Sequence, residues 1–225
     1  MKKLLFNILL LLIPIQSEAE HLIGGEMTYT CLGNNEYEIQ LTVYMICNSD
    51  AGFDDYPIIS WYDNQNNLVG NINYLSPEEI FPMDFDQIDD ETVGNDCLEL
   101  PSGLCVEIGT YYINLNLPPI EGGYEIVYQR CCRDPNIINI ENPGEWGSTY
   151  SVHIPGSDEV NECNSSPEFN FSPPLALCIE DELGLNQSAT DPDGDSLVYS
   201  LSTPLHGAGN GQNGNPNPAE PSPPP

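Results

Sequence analysis

Between Glu36 and Ile46 apolar side chains recur at every second position: Tyr37, Ile39, Leu41, Val43 and Met45. A strand turns successive side chains to opposite faces, so this stretch can bury one face only as β-structure; a helix would scatter the same five residues around its circumference. The segment Ile23 to Thr30 precedes it across the turn Gly33-Asn34-Asn35, which predicts a hairpin with one buried face. Further strands are expected at Ile58 to Tyr62, Leu68 to Ile72, Cys105 to Leu117, Tyr124 to Cys132 and Thr149 to Ile154. Turns at Asp63 to Asn67 and Glu121-Gly122-Gly123 separate them, built from residues that accept turn geometry. Met83 to Asn95 reads as acidic and irregular, and no segment keeps helical apolar spacing over three turns. The expected fold is all-β, a β-sandwich over residues 20–160.

Cys163-Asn164-Ser165-Ser166-Pro167 marks a boundary. Beyond it, Glu168 to Phe171, Leu175 to Ile179, Leu183 to Gln187 and Ser196 to Leu201 read as the opening strands of a second module, incomplete within residues 163–205. From His206 onward 14 of 20 residues are Gly, Asn or Pro, so residues 206–225 are expected to be a disordered tail, with the chain cut short inside the second module.

The N-terminus carries its own signal. Met1-Lys2-Lys3 is positively charged, Leu4 to Ile15 is apolar except for Asn7 and Pro14, and Ser17-Glu18-Ala19 supplies small residues at peptidase spacing. Residues 1–19 are expected to be a secretory signal peptide, since the apolar run falls short of the ~20 residues a bilayer span requires. No later segment is apolar enough to span, so the processed chain is expected to have no membrane span. Processing removes Lys2, Lys3 and Glu18, and 34 acids then face Arg130 and Arg133, a net charge of −32. Such a surface repels phosphate backbones and argues against nucleic acid as a partner. It suits a salty exterior or the uptake of divalent cations.

Eight cysteines in an exported chain suggest up to four disulfides among Cys31, Cys47, Cys97, Cys105, Cys131, Cys132, Cys163 and Cys178. Cys97 with Cys105, across a Pro-Ser-Gly turn, and Cys163 with Cys178, across a proline-rich segment, are plausible pairs; the full connectivity stays open. Cys131 and Cys132 are adjacent on an expected strand, where they point to opposite faces and suit two different partners better than each other. Arg130 and Arg133 flank them and are expected to neutralise nearby carboxylates, a redox role for the thiols being the alternative. Zinc is disfavoured: there is no C-x-x-C, and His21, His153 and His206 lie apart from the cysteines.

The chemistry-bearing stretch is Asp191-Pro192-Asp193-Gly194-Asp195. Carboxylates at alternate positions can converge on one hard cation, which makes Asp191, Asp193 and Asp195 candidate Ca²⁺ ligands; an ordinary acidic turn is the competing reading. The loop is no EF-hand, since Ser202 stands where the bidentate Glu would be. Asp84, Asp86, Asp89, Asp90 and Glu91 form a second acidic cluster, more simply a solvated loop. No nucleophile elbow or histidine constellation appears, so no enzyme is expected. Trp61 and Trp146 could form a carbohydrate platform, although aromatics in β-proteins are more often core.

Four segments in order, Glu20 to Tyr29, Ile126 to Arg133, Cys163 to Pro167 and Ala189 to Leu201, resemble the N-terminal region of large secreted multidomain surface proteins of gliding bacteria. Many such proteins end in a gliding-motility-associated C-terminal domain, the type IX secretion sorting signal. The resemblance spans Glu20 to about Leu205. The Asp-Pro-Asp-Gly-Asp segment is also similar to that of cadherin-like and Ig-like repeats, where such aspartates bind Ca²⁺ near domain junctions. The resemblance implies a secreted or bacterial cell-surface protein that works by display and adhesion toward surface glycans or proteins and is stiffened by Ca²⁺. A non-catalytic carbohydrate-binding module is the second reading.

Overall fold

The computed structural model describes residues 22–47, 52–55, 57–72, 79–84, 105–159, 163–171 and 184–207. The expected signal peptide, the expected tail beyond 207, most of the Asp84 to Glu91 cluster and the strand expected at Leu175 to Ile179 lie outside these residues. Ten strands run in chain order: β1 (Leu22–Gly33), β2 (Glu36–Ile46), β3 (Ile59–Tyr62), β4 (Leu68–Ile72), β5 (Glu79–Asp84), β6 (Cys105–Asn116), β7 (Tyr124–Arg130), β8 (Ser148–Ile154), β9 (Glu168–Phe169) and β10 (Ala189–Thr190). There is no α-helix among the described residues, only a 3₁₀ turn at Pro143–Glu145.

Two four-stranded antiparallel sheets, ordered β1-β2-β6-β5 and β4-β3-β7-β8, form the sandwich. The alternation read in β2 is what fills it. Ile39, Leu41 and Val43 are fully buried and Met45 nearly so, and the register sets Leu41 opposite Tyr111 and Ile39 opposite Ile113. The other sheet supplies Ile59, Ile126, Tyr128 and Ile154 to the same core. At one side β1 and β8 close the sandwich. Gly25 allows that approach, since a Cβ there would lie 2.9 Å from the Tyr150 ring.

The all-β expectation holds, with the β1–β2 hairpin turning at Gly33, Asn34 and Asn35, all at positive φ. Several local expectations do not. β5 is not among the expected strands, and it includes Met83 and Asp84, which read as acidic and irregular; Pro82 is accommodated because β5 is an edge. β7 stops at Arg130, two residues early. Ser196 to Leu201 forms no strand: the segment lies unpaired, with Val198 and Leu201 almost wholly exposed, because no neighbouring strand among the described residues accepts its alternation. Among the described residues of 163–205, where a second module is expected, the two-residue strands β9 and β10 pair with each other, and Leu205 forms an isolated bridge.

The cysteine pairing also departs from expectation. Cys163 bonds Cys31, not Cys178, because the chain after the sandwich returns alongside β1. Cys131 and Cys132 bond each other across a cis peptide. They lie past the end of β7, so the opposite-face argument for a strand does not apply. Cys47 is also disulfide-bonded, and the Cys97–Cys105 suggestion lies outside the described residues.

Candidate functional site: the junction at the Asp-Pro-Asp-Gly-Asp loop

The returning segment Cys163 to Ser166 is built into the edge of β1. Ser166 donates its backbone N–H to the Tyr29 carbonyl at 2.9 Å, and the Tyr29 N–H donates to Ser166 Oγ at 2.8 Å. The Cys31 N–H donates to Ser165 Oγ at 3.2 Å, beside the Cys31–Cys163 bond. Both serines are buried, and each hydroxyl takes a main-chain donor of the edge strand that would otherwise be unmatched. A disulfide and two serines thus do what another strand would do.

The aspartate loop docks on this segment. Asp193 Oδ2 accepts the Ser165 N–H at 2.6 Å, and Asp195 Oδ2 accepts from Asn164 Nδ2 at 2.8 Å. Asn164 Oδ1 in turn accepts the Tyr29 hydroxyl proton at 2.9 Å. The chain of contacts therefore runs from the loop through Asn164 into β1. The Tyr29 phenol is pushed well above its ordinary range, first by burial and then by the neighbouring Tyr37 and the charges of Asp193, Asp191 and Asp195.

Asp191 has a different task. Its Oδ1 accepts the N–H groups of Asp193 at 3.0 Å and Asp195 at 2.9 Å, folding the loop over Gly194 at φ 85°. Asp63 does the same in the β3–β4 turn, accepting the N–H groups of Gln65 and Asn67 with one carboxylate oxygen. Bonds to Asn67 and Gln65 pull the Asp63 carboxyl below its ordinary value. The first aspartate of the acidic motif is thus a turn-former, and the second and third are fasteners. These bonds use one oxygen of each carboxylate and leave the other outside them. Among the described residues no three His, Cys, Asp or Glu side chains converge on a common metal position.

The segment after Cys163 is also tied near Leu205. The Leu205 carbonyl accepts the Thr149 N–H at 3.2 Å and Arg133 Nη2 at 3.1 Å, and the His206 carbonyl accepts the Thr149 hydroxyl. The His206 ring stacks on Trp146, centroids 5.1 Å apart. Burial, then Arg133, pushes the imidazole pKa down. Arg133 therefore serves carbonyls, of Gly147 and Leu205, rather than the expected carboxylate. Arg130 meets the expectation: it pairs with Asp54 at 3.3 Å and donates to the Gly52 carbonyl, while Tyr128 donates to Asp54 Oδ2 at 2.6 Å. The two tryptophans form no common platform, since Trp61 packs over Gly70 against the core and Trp146 stacks on His206.

Tyr29, Asn164, Ser165 and Ser166 were not legible as site residues. Their one signal was polarity: two adjacent serines between a cysteine and a proline, in a segment that otherwise read as a boundary.

No family model and no solved structure matches the chain. A similarity is found to an integrin beta-like protein A of Dictyostelium discoideum, 35% identical over 82 residues. That stretch is 35% of this chain and 4% of the other protein. No described helix is long and apolar enough to cross a membrane.

Proposed function

We propose that this chain is the base of an exported, multi-module surface protein of the gliding-bacterial type, working by display and adhesion toward surface glycans or proteins. The observation that carries the reading is the junction. The module after Cys163 is fastened to the sandwich at both described ends, by Asp193 and Asp195 on Ser165 and Asn164, and by Leu205 and His206 on Thr149 and Arg133. Fixing a neighbouring module's direction is what a protein that projects a binding surface needs, since inter-domain motion is otherwise the default. The disulfides, the leader-like N-terminus and the partial likeness to an integrin beta-like protein support an extracellular, adhesive setting. The reading assigns no catalytic step.

Calcium belongs to the proposal as an added clamp. It would have to draw together the carboxylate oxygens of Asp191, Asp193 and Asp195 that the loop's own bonds leave over, since these do not converge on a common position as the loop stands, and no step depends on it. A melt in Ca²⁺ against chelator tests this, and an unchanged midpoint sinks it. The display reading is tested by labelling intact producing cells with antibody to the sandwich. External labelling lost on mild protease treatment is expected, and a signal only after lysis overturns the reading.

A further inference from the structure

At the end of the sandwich that holds the β1–β2 turn, a cleft of about 330 Å³ opens beside the Cys31–Cys163 bond. Tyr124 and Ile120 form part of its wall; Tyr37, Asn34, Asn35 and Ser157 also line it. In a protein with 35 acidic residues, none of its lining residues is charged. We infer that this cleft is a binding site for a neutral saccharide, and that Tyr37 is its principal contact.

The chemistry follows from what the cleft offers. No hydrogen bond among the described residues uses the Tyr37 hydroxyl, the Asn34 and Asn35 side-chain amides or the Ser157 hydroxyl. The Tyr124 hydroxyl is already committed to the Pro118 carbonyl at 2.6 Å, so Tyr124 presents ring rather than hydroxyl. Both asparagines sit at positive φ in a turn fixed by the hairpin register, and Leu117 donates its N–H to the Asn35 carbonyl at 2.8 Å, so the turn carrying the amides is held in place. Tyr37 is braced edge-on by Tyr29, centroids 6.1 Å apart.

Elimination narrows the ligand. An anion is repelled by the field of the whole molecule. A cation finds no carboxylate in the lining to hold it. A purely apolar ligand would desolvate four hydrogen-bonding side chains without matching them. A neutral sugar satisfies all three conditions: its C–H face lies on an aromatic ring, and its hydroxyls both donate and accept, as amides and hydroxyls do. The volume is near the lower end of the ~300–1,000 Å³ range of small-ligand sites, which suits roughly one or two sugar rings.

The inference rests on the display reading only for where the sugar is met, and the two fail separately: surface labelling reads location, while sugar binding reads the cleft. The test is an amide chemical-shift titration of the whole chain with neutral hexose and N-acetylhexosamine oligosaccharides, and with sialylated or sulfated counterparts. Saturable shifts at Asn34, Asn35, Tyr37 and Ser157 are expected for neutral sugars only. Tyr37→Ala should weaken binding about tenfold. Ser157→Trp, at an exposed position, should fill the cleft and abolish binding without moving the melting midpoint. Absence of shifts with every neutral sugar at millimolar concentration overturns the inference, as does undiminished binding by a folded Ser157→Trp chain.

Discussion

Arg130 shows how much one side chain carries in a chain so short of cations. It is almost fully buried and joins Asp54, Gly52 and, through Asp54, Tyr128. Arg130→Met should cost about 3 kcal/mol in urea unfolding, the low end for breaking a buried pair, because about a third of the Asp54 side chain is exposed. Two further side chains give opposite pH dependences. The His206 pKa is depressed when docked, so the unfolded or undocked ring takes up a proton more readily than the docked ring. Docking of His206 on Trp146 is therefore fully favoured above the ordinary value near 6.5 and lost as pH falls through the lower folded value. Trp146 fluorescence should report the release, while a His206→Phe chain should show no such transition. Tyr44 is pushed the other way, to about 12, by burial and by Glu26. Its contribution is present below pH 10 and lost as pH rises through about 12, so phenolate absorbance and loss of β-structure should rise together in that window.

At the scale of elements, what could be read depended on whether a pattern was satisfied locally or by a partner. The β2 alternation was legible because its pairing with β1 and β6 buries one face in the core. Ser196 to Leu201 carries a similar alternation, yet Val198 and Leu201 are exposed, because periodicity states what a strand would bury and not whether a second sheet exists to bury it. The difference is measurable: Ile39→Ala should cost about 2–5 kcal/mol, and Leu201→Ala less than about 0.5 kcal/mol. The junction was half legible. The spacing of the three aspartates marked the loop, but spacing cannot reveal that Asp191 bonds inward to its own backbone while Asp193 and Asp195 bond across to Ser165 and Asn164. Disulfide connectivity was hidden for the same reason, since Cys31 and Cys163 are 132 residues apart. That long closed loop should make the bond worth about 2–5 kcal/mol, to be read from the melting of a Cys31→Ser, Cys163→Ser chain.

For the whole molecule, the competing terms are covalent and hydrogen-bonded fastening against charge repulsion. A net charge of −31 over 225 residues destabilises any compact state, and salt screens it with a length of ~8 Å at physiological ionic strength. The fold answers with a sandwich core, the Cys31–Cys163 bond, and a following segment secured through neutral serines and asparagine at the aspartate loop and through Arg133 at Leu205. That fastening holds the aspartate loop to the segment built along β1. Amide hydrogen exchange at Ser165 and Ser166 tests it most directly. Both amides should exchange as slowly as those of β1, and Asp193→Ala should speed Ser165 selectively while Ser166, bonded to the Tyr29 carbonyl, stays protected. Exchange of both amides at the rate of an unstructured peptide in the unmutated chain would contradict it.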